Sequence, residues 1–232
     1  MPRNFLKYIL AFLLILSISL TMLSYTFSEL TKHENALPFF SGLIADRLSK
    51  EASAEEMQKI SDGIRDECQG KKETTIDLEN RSIKINCSEI GRKPIQNIMA
   101  ESMFNYFYYK DYSCKIAECF GEPENLPVVF SQQMNEKYKS SFQFLIFLSL
   151  TLAVILLLVA KGIESKIRTL GSCLLVSGLG FIPFAFLMVF TQIKLPIISR
   201  ILAIFLALFI GGVLLLVLAR FLKGGPEKSI QQ

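Results

Sequence analysis

The chain has 232 residues, of which 51% are hydrophobic and only 20% are charged; its net charge is +4 and its mean hydropathy is +0.39. Soluble domains carry roughly 25% charged residues, so this composition excludes an ordinary soluble protein. The charges are also unevenly placed, since 34 of the 46 Asp, Glu, Lys and Arg residues lie between Ser28 and Ser140. The nearly uncharged stretches on either side are candidates for membrane spans.

Four apolar runs predict four transmembrane helices, because about 20 apolar residues in a helix cross the hydrocarbon core of a bilayer. The first run lies within residues 1–27, after a short tail, and contains one charge, Lys7. It is longer than the apolar part of a signal peptide, about 7–15 residues, which favours an uncleaved anchor. The other three runs contain no Asp, Glu, Lys, Arg or His and lie within 141–222, at about 142–160, 169–190 and 201–219.

The charges that flank these runs predict the orientation of the chain. If four spans alternate, the two termini and the loop after the second span share one side and carry eight positive and two negative charges. The block 28–140 carries 15 positive and 19 negative charges. Because cytoplasmic flanks are enriched in Lys and Arg, both termini, including the tail 223–232, should be cytoplasmic in the plasma membrane. The basic balance then reflects topology, and we expect the lipid bilayer as a partner and no nucleic acid.

The block 28–140 predicts an extracytoplasmic α+β domain, with helices and a β-hairpin, inserted between the first two spans. Ser53 and Glu56 have the spacing of a capping box, which indicates the start of a helix. Alternation of apolar and polar residues in Thr74–Leu78 and in Ser82–Cys87 predicts the hairpin. The remaining expected elements are a helix opened by Asn35–Pro38 and reaching Ser49, a helix after Pro94, a loop over Tyr112–Pro127 and a helix from Val128 into the second span.

Four cysteines of this block, Cys68, Cys87, Cys114 and Cys119, predict two disulfides, because the compartment outside the membrane is oxidising. Three pairings are possible, and local proximity favours Cys68–Cys87 with Cys114–Cys119. Thiol exchange or a zinc site is the alternative interpretation, but the spacing is not that of a C-x-x-C motif. Cys173, which lies in an apolar run, is interpreted as a packing residue.

Other residues of the block are weaker candidates for function. Asn80 and Asn86 each begin an N-glycosylation sequon. The single histidine, His33, has no sequence neighbours that would complete a metal site or a catalytic triad, so an exposed polar residue is expected. Aromatic residues crowd the helix after Pro94, and part of the cluster is a candidate interaction patch, with Tyr106, Tyr108, Tyr109 and Tyr112 as its residues.

Small residues in the apolar runs predict close helix packing. Ala203, Ala207 and Gly211 recur every four residues in the fourth run, a spacing that lets helix backbones approach each other. Gly171 and Gly178 in the third run are the expected receiving face. This packing can lie within one chain, which is the favoured interpretation, or between chains.

No nucleotide-binding, metalloprotease or hydrolase motif occurs in the chain, so we expect neither an enzyme nor a cofactor. The order of elements resembles the claudin-like tetraspan arrangement, although the chain has no tryptophan and therefore lacks the claudin signature. No residue role is carried over. The sequence favours a non-enzymatic protein that presents its outer domain to a membrane or envelope protein, or to a second copy of itself. The alternatives are a ligand-sensing or transport-accessory subunit and, third, a thiol–disulfide oxidoreductase.

Overall fold

The computed structural model of the chain describes residues 3–51, 53–78, 81–112, 123–180, 182 and 196–223. Within these residues the protein is mostly helical and contains one two-stranded sheet. The elements, in chain order, are α1 (Arg3–Leu30), α2 (His33–Glu51), α3 (Ala54–Glu67), β1 (Glu73–Leu78), β2 (Arg81–Asn86), a 3₁₀ turn (Cys87–Glu89), α4 (Ile95–Tyr109), a 3₁₀ helix (Pro123–Phe130), α5 (Gln132–Val159), α6 (Ile163–Gly178) and α7 (Pro196–Lys223).

The chain divides into two compact units. One consists of Met1–Phe27 together with Tyr138–Gln232, and we call it the span unit; the other consists of Ser28–Lys137, and we call it the hairpin unit. The hairpin unit nearly coincides with the charged block 28–140.

Three of the described helices are long and apolar enough to cross a membrane. They contain the segments Asn4–Leu30, Gln132–Val159 and Ser199–Leu222, with mean hydropathies of 2.2, 2.7 and 3.2. Each exceeds the roughly 20 residues that a bilayer core requires, which supports a membrane location. The expected third span at 169–190 corresponds only in part to α6, which ends at Gly178, and residues 183–190 lie outside the described part of the chain.

The core of the span unit joins α1, α5 and α6. Leu14 of α1, Leu156 of α5 and Cys173 of α6 are each 1% exposed and pack in one cluster. A hydroxyl pair adds a polar contact between α1 and α5, since the Oγ atoms of Ser17 and Ser149 lie 2.8 Å apart. Hydroxyl contacts of this kind recur between helices in membranes, where an unpaired polar group is costly.

Helices α6 and α7 approach so closely that their glycines cannot be replaced without displacement. A Cβ added to Gly178 would lie 2.6 Å from the backbone nitrogen of Phe209, and a Cβ added to Gly212 would lie 2.5 Å from that of Leu175. A Cβ on Gly171 would lie 3.0 Å from the Leu215 side chain. The third run therefore contributes Gly171 and Gly178 to a close helix contact.

The small-residue row predicted on the opposing helix does not form this contact within the chain, where Gly212 rather than Gly211 meets α6; its packing between chains stays a prediction. Nothing lies within 4 Å of a Cβ added to Gly211, and Ala203 and Ala207 are exposed. Successive residues of a helix point about 100° apart, so a one-residue offset presents a different face. The buried row of α7 consists of Ile201, Phe205, Gly212 and Ala219, which follow one another at spacings of four, seven and seven residues.

The capping box at the start of α3 is confirmed. The Glu56 backbone N–H donates to Ser53 Oγ (3.2 Å), and the Ser53 backbone N–H donates to a Glu56 carboxylate oxygen (2.9 Å). These two bonds satisfy N–H groups that have no partner inside the helix. They also lower the pKa of Glu56, mainly through the bond from the Ser53 backbone.

The predicted hairpin is confirmed, with β1 and β2 antiparallel and Ile76 paired with Ile83. Alternation places Ile83 and Ile85 on the buried face, where Ile85 joins a core with the side chains of α3 and α4. This core makes up for the low stability of an isolated hairpin in water. Its buried members are Met57, Ile64, Ile85, Ile98 and Met99.

Two helix boundaries differ from those expected. Helix α2 begins at His33 and contains Pro38 in its interior, whereas the sequence suggested that Asn35–Pro38 opens the helix. The end of the expected loop over Tyr112–Pro127 forms part of the 3₁₀ helix Pro123–Phe130. This 3₁₀ helix brings Val128 into the interior, at 5% exposure.

Candidate binding sites on helix α4

Helix α4 carries side chains of opposite character on its two faces. It follows Pro94, whose fixed φ suits a helix start. Phe104 and Tyr108, four residues apart, lie on one face and are buried. Ser102, Asn105 and Tyr109 are offset from them by about a third of a turn and lie on a second face. Each face borders a separate cavity.

The first cavity is apolar, has a volume of about 330 Å³ and is open on one side. We call it the aromatic cleft. It forms where α2, α4 and the 3₁₀ helix Pro123–Phe130 meet, so that three segments far apart in sequence each supply an aromatic or apolar wall. Its volume lies at the lower end of the range for small-molecule pockets, about 300–1,000 Å³. The lining residues are Phe40, Ile44, Phe104, Phe107, Tyr108, Pro127 and Phe130.

Ring contacts fix the walls of the aromatic cleft. Phe40 stacks on Phe104 with the planes 9° apart and the centroids 5.7 Å apart, and it contacts Phe130 at 4.4 Å. Offset stacking and tilted contacts are the favourable arrangements for aromatic pairs. The cleft is therefore built from rings that hold one another in place.

Tyr108 gives the aromatic cleft one polar group. Burial raises the pKa of its phenol, and a hydrogen bond with the His33 backbone opposes that effect. A tyrosine with a raised pKa stays neutral at physiological pH. The lining of the cleft is therefore uncharged, which suits an apolar occupant.

The second cavity lies on the other face of α4, beside β2, and has a volume of about 380 Å³. We call it the polar groove. Unlike the aromatic cleft, it is lined by two lysines and by amide and hydroxyl groups. The lining residues are Ser82, Lys84, Ser102, Asn105, Tyr106, Tyr109 and Lys110.

His33 contacts residues of both cavities. Its Nε2 atom donates to Asn105 Oδ1 (2.6 Å), because a carbonyl oxygen can only accept. Its ring lies 5.0 Å from the ring of Tyr108 and 5.6 Å from that of Tyr109. The histidine expected to be an exposed polar residue is therefore partly buried and contacts side chains on both faces of α4. A single histidine in a sequence does not predict such a position.

The four tyrosines predicted as one interaction patch do not share one surface. Tyr108 and Tyr112 are only 6% and 7% exposed, whereas Tyr109 is 58% exposed. Tyr106 is half-buried and lines the polar groove with Tyr109. The patch prediction is therefore wrong as a single surface, because consecutive tyrosines on a helix point in different directions.

The cysteine and sequon residues lie partly within the described chain. Cys68 and Cys87 form a disulfide with Cα atoms 5.4 Å apart, the pairing that the sequence favoured. Cys114, Cys119 and Asn80 lie outside the described residues. Asn86 is exposed at the end of β2, where its Oδ1 accepts from the backbone N–H and the hydroxyl of Ser88. The second sequon is therefore accessible at the surface of the hairpin unit.

Among the described residues, no group of three or more His, Cys, Asp or Glu side chains could hold a metal ion. Comparison with protein-family models, with curated proteins and with solved structures finds no match. The aromatic cleft and the polar groove of the hairpin unit are its candidate binding sites. The sequence did not indicate Phe40 and Phe130 as site residues. The only signal was that Phe39 and Phe40 are adjacent in α2, because two neighbouring residues of a helix do not share one buried face.

Proposed function

We propose that the protein is a four-span membrane protein that binds another membrane or envelope protein through the aromatic cleft. In this proposal both termini are cytoplasmic, and residues 28–140 lie outside the membrane. The third span comprises about 169–190 and continues α6. The single observation that carries the proposal is an open cleft walled almost entirely by aromatic carbon.

Several properties of the aromatic cleft support a protein as its occupant. Aromatic residues are enriched where proteins bind each other, and hot spots are apolar pockets that receive one or two anchoring side chains. A volume of about 330 Å³ matches such an anchor rather than a whole interface.

The second candidate function is ligand sensing or support of a transporter. Its support is the same volume, which also fits a small apolar molecule. The two functions differ in what occupies the cleft. A small apolar ligand should compete with the protein partner only if both use this cleft.

The matched pair Ile44→Glu and Leu43→Glu tests the site. Ile44 lines the aromatic cleft, whereas the adjacent Leu43 is 53% exposed and does not line it. A carboxylate at position 44 places a charge against apolar walls, which is costly. In native membranes, we expect crosslinked species of the wild type to persist in Leu43→Glu and to disappear in Ile44→Glu. Crosslinking that is equal in both variants would contradict binding through the cleft.

Epitope tags test the topology. One tag is inserted after Gly70, at an exposed turn, and one is placed at each terminus. On intact cells, antibody should reach only the internal tag, and both terminal tags should become accessible after permeabilisation. A C-terminal tag that is accessible on intact cells would contradict four spans.

A further inference from the structure

The polar groove has the composition of a site for an anion. Lys84 of β2 and Lys110, next to the end of α4, both line it, and no carboxylate is among its lining residues. The sign of the charge in the groove is opposite to that of the surrounding block 28–140, which has 19 negative and 15 positive charges. The two lysines come from separate elements and line one cavity of about 380 Å³.

Two carboxylates beside the groove are held by a different lysine. An adjoining cavity of about 260 Å³ shares Lys84 with the groove and contains Glu89 and Glu101. Lys93 Nζ lies 3.3 Å from one of these carboxylates and 2.8 Å from the other. Glu73 also lines the adjoining cavity, but among the described residues no ion pair within 4 Å involves Lys84. The charge of Lys84 therefore remains available to a ligand.

The second lysine is positioned by an aromatic ring. Lys110 Nζ lies 5.4 Å from the centroid of the Tyr112 ring, a cation–π contact. Tyr112 is buried, and its hydroxyl donates to the backbone carbonyl of Phe107 (3.2 Å). The ring that supports the Lys110 ammonium group is thus itself fixed.

An exposed aromatic ring borders the same groove. Tyr109 is 58% exposed, although its ring contacts those of Tyr108 at 5.0 Å and His33 at 5.6 Å. Such a ring is held in place before any ligand arrives, so that packing against it costs little ordering entropy. Aromatic rings of this kind pack against the C–H faces of sugar rings.

Neutral hydrogen-bond donors complete the lining. Asn105 uses its carbonyl oxygen to accept from His33, which leaves the two N–H bonds of its amide nitrogen as donors. The hydroxyls of Ser102 and Tyr106 also line the groove. Positive charge, a fixed ring and several neutral donors together match a ligand that has an anionic group on a hydroxylated ring.

We propose that the polar groove binds a sugar acid, in which a carboxylate is attached to a hydroxylated ring, as in the acidic units of polysaccharides. Lys84 and Lys110 bind the carboxylate, Tyr109 packs against the ring, and Asn105 and Ser102 bind ring hydroxyls. The site is separate from the aromatic cleft and does not depend on it.

The test is a titration of the full-length protein in detergent with three probes: D-glucuronate, D-glucose and inorganic phosphate. We expect saturable binding of glucuronate that weakens as salt rises, and binding of the other two at least about tenfold weaker, since each lacks either the charge or the ring. Equal affinity for phosphate would overturn the proposal in favour of simple anion attraction. Equal affinity for glucose, or no binding of glucuronate, would also overturn it.

Matched variants assign the binding to the groove. Lys84→Met should weaken glucuronate binding about tenfold, because a charged hydrogen bond is lost, whereas Lys59→Met, on the exposed surface of α3, should leave it unchanged. Tyr109→Ala should weaken binding, and Tyr109→Phe should restore it, since only the ring is needed. Equal effects of Lys84→Met and Lys59→Met would overturn the assignment. Ile44→Glu, in the aromatic cleft, should not affect glucuronate binding, which distinguishes a failure of this proposal from a failure of the proposed function.

Discussion

The span unit and the hairpin unit are held together by different means. In the span unit, α6 and α7 meet through glycines, and a Cβ on Gly212 would lie 2.5 Å from a backbone atom of the other helix. In the hairpin unit, large side chains such as Ile85 and Ile98 fill the core, and the Cys68–Cys87 disulfide closes it. One unit depends on backbones that approach closely, and the other depends on side chains that fill space.

The difference follows from the solvent that each unit is built for. In lipid, an apolar side chain gains little by leaving its surroundings, so that helices associate through close van der Waals contact and a few polar pairs. In water, burial of apolar surface contributes about 25 cal/mol per Å², which favours large side chains in a core. The two units should therefore respond to opposite kinds of substitution.

The largest effect is expected from Gly212→Ile in the span unit. The added Cβ meets backbone atoms of Leu175, which cannot rotate away, so that α6 and α7 must separate. We expect the free energy of unfolding of the span unit to fall by about 3 kcal/mol or more, the upper end of the range for overpacked sites. Gly211→Ile is the matched control, because nothing lies within 4 Å of its Cβ, and it should unfold like the wild type.

Cys173 provides the measurement for this pair. Its thiol is free and 1% exposed, so that a thiol-reactive fluorophore should label it only when the span unit opens on heating. Cys173→Ser should remove that labelling step. If both glycine variants lower the labelling temperature equally, the orientation of α7 described here is wrong.

The next largest effect is expected from removal of the Cys68–Cys87 disulfide by a double substitution to alanine. The bond closes a loop with a sequence separation of 19, and its loss should lower the free energy of unfolding of the hairpin unit by about 3 kcal/mol in the chain-entropy model. Tyrosine fluorescence during urea unfolding reports this change. The temperature of Cys173 labelling should stay unchanged, and an equal loss in both measurements would show that the two units do not unfold separately.

The smallest effect is expected from Ser53→Ala, which removes the side-chain cap of α3. At pH 7 it should lower the free energy of unfolding by about 1 kcal/mol, as measured for other helix caps. Ser53→Thr, which keeps a hydroxyl, should retain most of the stability. A cost in Ser53→Thr equal to that in Ser53→Ala would show that the cap contributes nothing.

The same cap predicts a pH dependence. Its bonds lower the pKa of Glu56 in the folded protein below the ordinary value of 4.5. A carboxyl with a lowered folded pKa contributes stability above the unfolded pKa, and this stability is lost as pH falls through the folded pKa. The stability difference between wild type and Glu56→Gln, whose side chain keeps its length but cannot ionise, should therefore shrink below pH 4.5. A difference that is constant from pH 7 down to acid would argue against the Glu56 part of the box.

Local features of the sequence predicted much of the hairpin unit. Ser53 and Glu56 interact across three residues, and Ile76 and Ile83 belong to strands separated by only two residues, so that spacing alone indicates their contacts. The Cys68–Cys87 pairing was favoured for the same reason. Such contacts depend on few residues outside the segment itself.

Rotational and long-range features could not be predicted. A four-residue repeat identifies a row of small residues, but only packing against α6 decides whether the row of Gly211 or that of Gly212 faces inward. The aromatic cleft needs Phe40, Phe104 and Phe130, which meet only after three separate segments have packed. The periodicity of a sequence does not show which distant segments pack against each other.

The Cys68–Cys87 disulfide also determines how a cut chain behaves. It closes a covalent ring that begins at the residue after α3 and contains the whole hairpin, and the exposed Lys71 and Lys72 lie inside this ring. A protease that cleaves once at either lysine therefore opens the ring without releasing a fragment. Electrophoresis should show an intact mass until a reductant is added and two pieces afterwards, because the disulfide keeps the two parts of a nicked hairpin unit covalently joined.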